Sequence, residues 1–191
     1  MGASVQQTVG HNSVQYIIVT NHEQMMDAMA IRAICHMEEE GVSARLAFDG
    51  NDFQATHILI VIDDEPVGAI RVRWFAEFAK LERMAIRKAY RHPRLIKSFA
   101  EFVFRHIARK GYELVITHAK PGYARLWRQV LKFEIIEGKE ASYEGHPEPY
   151  MELRKKLEIP GNAISPASDA MLLFREEGRW DMPSKFEGVV K

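Results

Sequence analysis

The chain alternates between short apolar runs typical of β-strands and amphipathic stretches typical of helices, and this order limits its fold more than any other feature. The run from Ile58 to Ile62 is uniformly apolar, as in a strand buried on both faces. The stretch from Ile70 to Trp74 instead alternates apolar and charged residues, so one of its faces is buried and the other is wet. The pattern predicts, in order, one strand, helices, three strands, a helix, a strand, a helix and two strands.

Helical spacing of apolar residues is clearest over residues 93–110, and Gly111 ends this periodic stretch. A chain with both a strand hairpin and strands joined by helices must form a mixed sheet. The sequence therefore predicts an α/β fold, a single domain with a central mixed sheet flanked by helices. We expect a flexible N-terminus over residues 1–13, the domain over 14–157, and an extension over 158–191 that docks on the domain.

Composition excludes several function classes. The formal net charge of zero gives the protein no overall field that would favour nucleic acid or a membrane surface. The single cysteine, Cys35, rules out an intrachain disulfide and fits a reducing compartment. The N-terminus lacks the blocks of a signal peptide, and no apolar run reaches the roughly 18 residues that span a membrane. We expect a cytoplasmic protein with no membrane span and no nucleic-acid partner.

Two further patterns in the sequence fit either a structural or a functional role. Asn21 followed by Gln24 predicts a helix start, and the methionines after it have the spacing of a core stripe: Met26, Met29 and Met37. The stretch FDGNDFQATH contains Asp49, Asp52 and His57, but its spacing matches neither a calcium loop nor a zinc motif. We expect these residues to cap and turn the chain, and we predict no metal site.

The stretch LERMAIRKAYRHPRLIKSFAEF (81–102) predicts a strand, a basic loop and the start of a helix. Between Arg83 and Lys97 the chain has four arginines, two lysines and no acidic residue. This cluster lies where the end of a strand meets a helix N-terminus, whose free N–H groups and dipole attract anions. Pro93 suits the first helical turn, because its missing amide has no helical partner. The stretch therefore indicates a loop that holds a phosphate.

These elements resemble the GNAT-type N-acyltransferases over roughly residues 14–155. The likeness includes the strand order, the LERMAI strand, the stretch ITHAKPGYARLWRQVLKF and the YMEL strand near the C-terminus. In that family the strand leads into an Arg-x-x-Gly-x-Gly loop that holds the pyrophosphate of coenzyme A, and a gap beside the strand admits the pantetheine arm. The resemblance implies a donor site made of Met84, Ala85, Ile86, Arg91, His92, Arg94, Leu95 and Ile96.

The loop departs from the family pattern, since Arg94 and Ile96 stand in place of its two glycines. A β-branched residue disfavours positive φ and keeps a phosphate from approaching the backbone closely. We expect arginine to hold the phosphate instead, through charge-assisted hydrogen bonds from Arg91 or Arg94. The donor is then acetyl-CoA or another acyl-CoA, or the phosphopantetheine arm of an acidic acyl carrier protein, which the family's autoinducer-synthase relatives use.

The resemblance also implies catalytic groups. The family often uses a carboxylate on the central strand as base, and Glu82 occupies that place; an ion pair with Arg83 or Arg73 is the alternative. Further along, Leu126, Trp127 and Lys132 stand where the family has Phe, Tyr and Gly. Because Trp127 has no proton to transfer, the general acid would be Tyr123 or His118. The acceptor pocket would be bordered by Tyr143, His146 and Tyr150, unless these belong to a surface hairpin.

Three functions stay open on the sequence alone. The first is an N-acyltransferase that moves an acetyl or longer acyl group to an amine of a small molecule or a protein; a variant of it is an acyl-carrier-protein-dependent N-acyl amino acid or autoinducer-type synthase. The second is a catalytically inactive module that binds an acyl thioester. The third is nucleic-acid binding through the basic loop, which no aromatic platform supports. A homodimer is compatible with each of them.

Overall fold

The computed structural model of the chain describes residues 4–9, 12–142 and 148–188. Its α-helices are α1 (His22–Arg32), α2 (Ala44–Ala47), α3 (Pro93–Arg109) and α4 (Pro121–Gln129), and a π-helical segment (Ala33–Glu38) extends α1. Its strands are β1 (Ser4–Val9), β2 (Asn12–Ile18), β3 (Thr56–Ile62), β4 (Glu65–Trp74), β5 (Phe78–Ile86), β6 (Leu114–Ala119), β7 (Glu134–Ala141) and β8 (Tyr150–Lys156).

The described strands form one eight-stranded sheet in the order β1-β2-β3-β4-β5-β6-β8-β7. Neighbours in the sheet are antiparallel except β5 and β6, which run parallel. Parallel strands need a crossover, and α3 supplies it between β5 and β6. The prediction of a mixed α/β sheet with this order of elements is confirmed.

The two faces of the sheet carry different layers. Helices α3 and α4 cover one face, where Phe99 and Trp127 join the main core. Helix α1 and its π-helical extension cover the other face, where Ile31 and Cys35 form a smaller core with sheet residues such as Ala69. Because side chains alternate between the faces of a strand, Arg71, two positions after Ala69 on β4, shares the face of α1.

Helix α1 begins as the sequence predicts, but it buries a different face. The Oδ1 of Asn21 accepts a hydrogen bond from the Gln24 amide at 2.9 Å, which confirms the N-cap. The methionine stripe, however, does not face the core, since Met26 is 55% exposed. The buried residues are Ala28, Ile31 and Arg32. A small residue such as Ala28 lets the helix lie close to the sheet, which a methionine at that position would prevent.

The N-terminal segment differs from the expectation for residues 1–13. Its backbone pairs with β2 in an antiparallel register that runs from Ser4 opposite Ile17 to Val9 opposite Asn12. The outer edge of β2 would otherwise present unpaired N–H and C=O groups. A short hairpin therefore adds an edge strand where a frayed segment was predicted.

The extension after Glu158 contacts the domain at several points, and the carboxylate of Glu177 makes three of these contacts. The Oε1 of Glu177 accepts hydrogen bonds from Thr56 Oγ1 at 2.8 Å and Lys110 Nζ at 2.9 Å, and lies 3.0 Å from His106 Nε2. The ring of Trp180 stacks on His106 with a centroid distance of 5.2 Å. These contacts join the extension to α3 and to the start of β3.

Candidate active site

A β-bulge and an open strand edge create the site. The register of β4 against β5 shifts between Ala69 and Arg71, which leaves one extra residue on β5. Arg83 lies in this bulge with a left-handed φ of 53°. On its other side, β5 pairs with β6 only as far as Leu81 and Thr117. The C-terminal half of β5 therefore splays from β6 and has an open edge, at the place where the family resemblance implies a gap beside the strand.

A cavity of about 440 Å³ opens at this edge, a volume within the usual range for small-molecule sites. The end of β5 and the end of β6 form its floor, and the π-helical segment, α2 and α4 contribute its walls. Most of the residues predicted for the site line this cavity: Glu82, Met84, Ala85, Ile86, Arg91, Ile96, His118, Tyr123 and Tyr150.

Three predicted donor residues lie outside this lining, at the start of α3. His92 caps the helix, because its Nδ1 accepts a hydrogen bond from the Arg94 amide at 3.2 Å. Leu95 packs half-buried against the main core, and Arg94 is exposed. One amide of the helix N-terminus, a group expected to hold phosphate, is thus already bonded within the protein.

Arg91 stands at the mouth of the cavity with both ends of its guanidinium engaged. Its Nε donates to the Ile86 carbonyl at 2.7 Å, which fixes the side chain at the end of β5. Its Nη2 donates to the carboxylate of Glu39, which follows the π-helical segment. A donor phosphate that binds Arg91 would therefore compete with Glu39.

Three other basic side chains in the stretch from Arg83 to Lys97 have acidic partners that lie outside it. Arg83 pairs with Asp49 at 3.1 Å, Arg87 pairs with Glu65 at 2.6 Å, and Lys97 lies 3.8 Å from Glu101. The local excess of basic residues is therefore smaller in the folded protein than in the sequence. This reduces the field that the loop offers to a phosphate.

Glu82 is ion-paired on both of its oxygens. Its Oε2 accepts from Arg71, a side chain only 1% exposed, and its Oε1 lies 2.8 Å from Lys80 Nζ. Burial raises the pKa of Glu82, but the hydrogen bonds and charges of Lys80 and Arg71 outweigh it and hold the pKa below its usual value. The predicted alternative, an ion pair, is present; its main partners are not Arg83 or Arg73, although Arg73 lies 3.8 Å away.

His118 lies on the cavity floor, one residue past Thr117, the last residue of β6 that pairs with β5. Its Nε2 is 3.5 Å from Glu152 Oε2, and its Nδ1 has no hydrogen-bond partner among the described residues. Burial, followed by the charge of Lys80, lowers the pKa of His118 below 6.5, against the opposite effect of Glu152. The imidazole is therefore neutral near pH 7 and able to accept a proton.

The tyrosine candidate and the tryptophan that replaces the family's tyrosine have different environments. Tyr123 is 48% exposed at the cavity wall, with its hydroxyl 3.5 Å from Glu40. Trp127 is buried and packs edge-on against Phe133 at 5.1 Å. Of these two side chains, only Tyr123 offers a transferable proton to the cavity.

The predicted acceptor residues are only partly visible. Tyr150, at the start of β8, lines the cavity. Tyr143 and His146 lie outside the described residues.

Several lining residues were not predicted from the sequence. His36 and Cys35 reach the cavity from the π-helical segment, a feature that often marks functional sites but has no clear sequence signal. Burial lowers the pKa of His36 below its usual value. Arg73 on β4 and Lys80 on β5 also line the cavity. The alternation of side chains along each strand could have placed both on the same face of the sheet.

The aspartates before β3 bind arginine. Asp49 and Asp52 both accept hydrogen bonds from Arg71 Nη1, at 2.7 and 2.8 Å, and Asp49 also accepts from the Asn51 amide at 3.2 Å, as expected of a turn residue. No group of side chains suited to a metal ion occurs within residues 4–9, 12–142 and 148–188. In the same part of the chain, the helices are too short or too polar to cross a membrane.

Known proteins are similar to this chain in sequence and in fold. No family model matches the chain. It is 32% identical to the uncharacterized protein YyaT of Bacillus subtilis over 126 residues, which cover 62% of this chain and 85% of YyaT. It is 33% identical to the uncharacterized N-acetyltransferase YjcF of the same organism over 75 residues, which cover 39% of this chain and 54% of YjcF.

Solved structures extend the comparison at the level of the fold. An acyl-CoA N-acyltransferase from Pseudomonas aeruginosa superposes with a TM-score of 0.65 at 13% identity, covering 75% of this chain and 99% of that one. FeeM, an N-acyl amino acid synthase from uncultured soil microbes, gives 0.62 at 13% identity, covering 76% and 91%. A GNAT family acetyltransferase from Elizabethkingia anophelis with acetyl-CoA bound gives 0.57 at 12% identity, covering 75% and 98%. With its splayed strands and its similarity to these proteins, the chain belongs to the GNAT-type superfamily of acyl-CoA N-acyltransferases.

Proposed function

We propose that the protein transfers an acyl group from a thioester donor to the amine of an acceptor, within the cavity between β5 and β6. The observation that carries this proposal is the open edge of β5 beyond Leu81. Its backbone groups are available to the amides of a pantetheine arm, and Met84, Ala85 and Ile86 line the cavity beside it. The cavity is large enough to hold the end of such an arm together with a small amine.

The chemistry requires one bond to form, one to break and two proton movements. The acceptor nitrogen attacks the thioester carbon, the new C–N bond forms, and the C–S bond breaks. The nitrogen loses a proton to a base, and the leaving thiolate gains one from an acid. Candidates for both roles line the cavity.

His118 suits the role of base better than Glu82 does. A carboxylate that Lys80 and Arg71 hold charged has a low affinity for a proton. The His118 imidazole is neutral near pH 7 and becomes a cation when it takes the proton, which the nearby carboxylates of Glu152 and Glu82 stabilise. In this scheme Glu82 orients the acceptor amine and supports the charge on His118.

Tyr123 is the candidate acid. Its hydroxyl lies at the cavity wall formed by α4, on the side of the end of β6. Its exposed position allows it to reach the sulfur of a donor bound along β5. Trp127, the residue at the family's usual tyrosine place, is excluded because its indole has no proton to transfer.

The donor is acetyl-CoA or a longer acyl-CoA, with Arg91 and the open strand edge as its main contacts. A second donor class, an acyl carrier protein, is favoured by the loop without glycine and by the ion pair of Arg91 with Glu39. A carrier protein presents one phosphate on its phosphopantetheine arm, so it makes smaller demands on the loop than coenzyme A does.

A second candidate function is the binding of an acyl thioester without transfer. It is favoured by the ion pairs that occupy Glu82 and by the tryptophan at the usual tyrosine place. It predicts tight donor binding with no turnover.

The test is the release of free thiol. Purified protein is incubated with acetyl-CoA, octanoyl-CoA or an acylated carrier protein and with a panel of small amines and amine-bearing peptides. Thiol release that depends on an amine supports acyl transfer, and the product is identified by its mass. Donor binding by calorimetry without thiol release for every amine favours the binding module, whereas neither binding nor release contradicts both.

A further inference from the structure

Two basic side chains face each other across the sheet at the wall of the cavity. Arg73 on β4 and Lys80 on β5 are directly opposite in the antiparallel register, and both line the cavity. Residues opposite each other on neighbouring strands project to the same face of the sheet. A like-charged pair in this position is destabilising unless an anion lies between or above the two groups.

The described residues do not supply enough anions for this pair. Among them, the connected network of ion pairs around the cavity contains five cations and three carboxylates: Arg32, Arg71, Arg73, Lys80 and Arg83 with Asp49, Asp52 and Glu82. Glu82 is shared by three of the cations, and its distance to Arg73 is the longest of the three at 3.8 Å. Among the described residues, the Arg73 guanidinium makes no side-chain hydrogen bond, and it lies over the ring of Phe75 at 5.0 Å. The excess positive charge is therefore concentrated at Arg73 and Lys80.

The phosphates of a donor are too far away to neutralise this charge. They would bind beyond the C-terminal end of β5, near Arg91, whereas Lys80 lies six residues before that end at Ile86. At about 3.3 Å per residue of strand, the separation is roughly 20 Å. With Glu82 as their one carboxylate partner among the described residues, Arg73 and Lys80 leave room for an anion from another molecule in the cavity.

The neighbouring row of the sheet carries the groups proposed for the chemistry. Glu82 lies two residues beyond Lys80 on the same face of β5, about 6.6 Å along the strand. His118 follows two residues after Ile116, which pairs with Lys80. A row of cations therefore lies directly beside a row that can bind an amine and accept its proton.

We propose that the acceptor is an amine that carries a carboxylate, such as an amino acid, and that Arg73 and Lys80 bind this carboxylate. The proposal rests on acyl transfer in the same cavity and names the class of its acceptor. A carboxylate accepts hydrogen bonds from a guanidinium in a planar arrangement, and Lys80 adds a second charge. With the carboxylate on this pair, the amine of a compact acceptor reaches the row of Glu82 and His118.

The first experiment compares each amino acid with its own carboxamide. Acetyl-CoA is the donor, unless another donor gave thiol release, and kcat and KM are measured for both acceptors. The carboxamide lacks the charge but gives up its ammonium proton more readily, so the comparison is biased against the proposal. We expect the amino acid to have the higher kcat/KM by about tenfold or more, since a hydrogen bond to a charged group is lost in the carboxamide.

Variants then locate the carboxylate. Arg73→Gln and Lys80→Gln should each raise KM for the amino acid about ten- to a hundredfold and leave KM for the carboxamide within about twofold. Arg154→Gln is the matched control, because Arg154 belongs to the same row of the sheet but does not line the cavity. It should change neither KM. The melting temperature of each variant checks that it folds.

A binding measurement separates this proposal from acyl transfer itself. N-acetylated amino acids and their amides are titrated into the protein by calorimetry in the presence of coenzyme A. The carboxylate site would be overturned if carboxamides and neutral amines release thiol at least as fast as amino acids do, and if Arg73→Gln does not change these rates. Acyl transfer itself would still stand. N-acetyl amino acid binding that Arg73→Gln and Lys80→Gln abolish would support the site even if no amine is acylated. If the protein neither binds N-acetyl amino acids nor prefers amino acids as acceptors, the carboxylate site is wrong.

Discussion

Lys80 Nζ lies 2.8 Å from Glu82 Oε1, so the carboxylate that the sequence points to as a base is already half of an ion pair. Arg71 binds its other oxygen from a buried position. A base must accept a proton, and each of these cations makes that less favourable for Glu82. Burial, followed by the charge of Lys80, lowers the pKa of the neighbouring His118 and leaves it neutral, so the two side chains can be told apart by their pH dependence.

The first prediction concerns that pH dependence. If His118 is the base, kcat should rise with pH through a pKa below 6.5 and then level off, because the neutral imidazole is the active form. His118→Asn should lower kcat about 10²-fold and abolish this rise. Glu82→Gln removes a charge that raises the pKa of His118, so the rise should move to lower pH while kcat falls less. Measurement of kcat between pH 5 and 9 distinguishes the two bases. If Glu82→Gln abolishes the rise of kcat with pH and lowers kcat about 10²-fold, the base is Glu82.

A second prediction concerns the donor. Glu39 competes with phosphate for Arg91, so Glu39→Gln should tighten coenzyme A binding several-fold, whereas Arg91→Ala should weaken it about ten- to a hundredfold. Both effects should shrink at high salt, because the pair is exposed. Arg87→Ala is the control, since Arg87 is paired with Glu65 and does not line the cavity. Calorimetry with coenzyme A measures all three, and equal affinity in the wild type and in Arg91→Ala would remove Arg91 from the donor site.

The third prediction concerns the C-terminal extension. Burial alone would raise the pKa of Glu177, but His106 and Lys110 outweigh it and lower the pKa to about 2. A lowered carboxylate pKa stabilises the folded state above the unfolded value of 4.5, and this contribution is lost as the pH falls from about 4.5 to about 2. Because the side chain is 37% exposed, screening reduces the contribution, and Glu177→Gln should cost about 1–2 kcal/mol at pH 7.

Urea unfolding at pH 7 and at pH 3 measures this difference, which should be smaller at the lower pH. The matched control is Glu176→Gln, since Glu176 pairs only with Arg179 on the surface and should cost less than about 0.5 kcal/mol. If the two variants lose equal amounts of unfolding free energy, the contacts of Glu177 with Thr56, His106 and Lys110 contribute nothing specific to stability.

The fourth prediction concerns Lys132, which stands where the family has a glycine. Its φ is 60°, a left-handed conformation that a residue with a Cβ adopts at a cost of roughly 1 kcal/mol. Lys132→Gly should therefore increase the free energy of unfolding by about 0.5–1 kcal/mol. Lys132→Ala separates the backbone from the charge, because it removes the repulsion from Lys155 but keeps the Cβ. Thermal unfolding compares them, and a gain in the alanine variant equal to that in the glycine variant would assign the effect to charge.

The order of strands and helices is set by local patterns, so the sequence alone could predict it. A strand that is apolar on both faces, such as Ile58–Ile62, signals a central position by itself, and Asn21 with Gln24 signals a helix start within one turn. The position of the site at the end of β5 also follows from sequence, because the strand, loop and helix around Arg91 are consecutive. The face that α1 buries could not be predicted, since Met26 and Ile31 both have helical spacing and only packing on the sheet selects between them.

The charge state of the site depended on contacts between distant parts of the chain. The basic loop has no acid of its own, yet Glu39, Asp49 and Glu65 reach it from other elements. Glu82 has the right place for a base, but its buried partner Arg71 comes from β4, which meets β5 only in the sheet; its other partner, Lys80, is a near neighbour on β5. Electrostatic interactions act through space and fall off with distance in the folded protein, not along the sequence. The sequence alone therefore determined which groups are present and on which elements they lie, whereas the tertiary structure decided which of them remain available for chemistry.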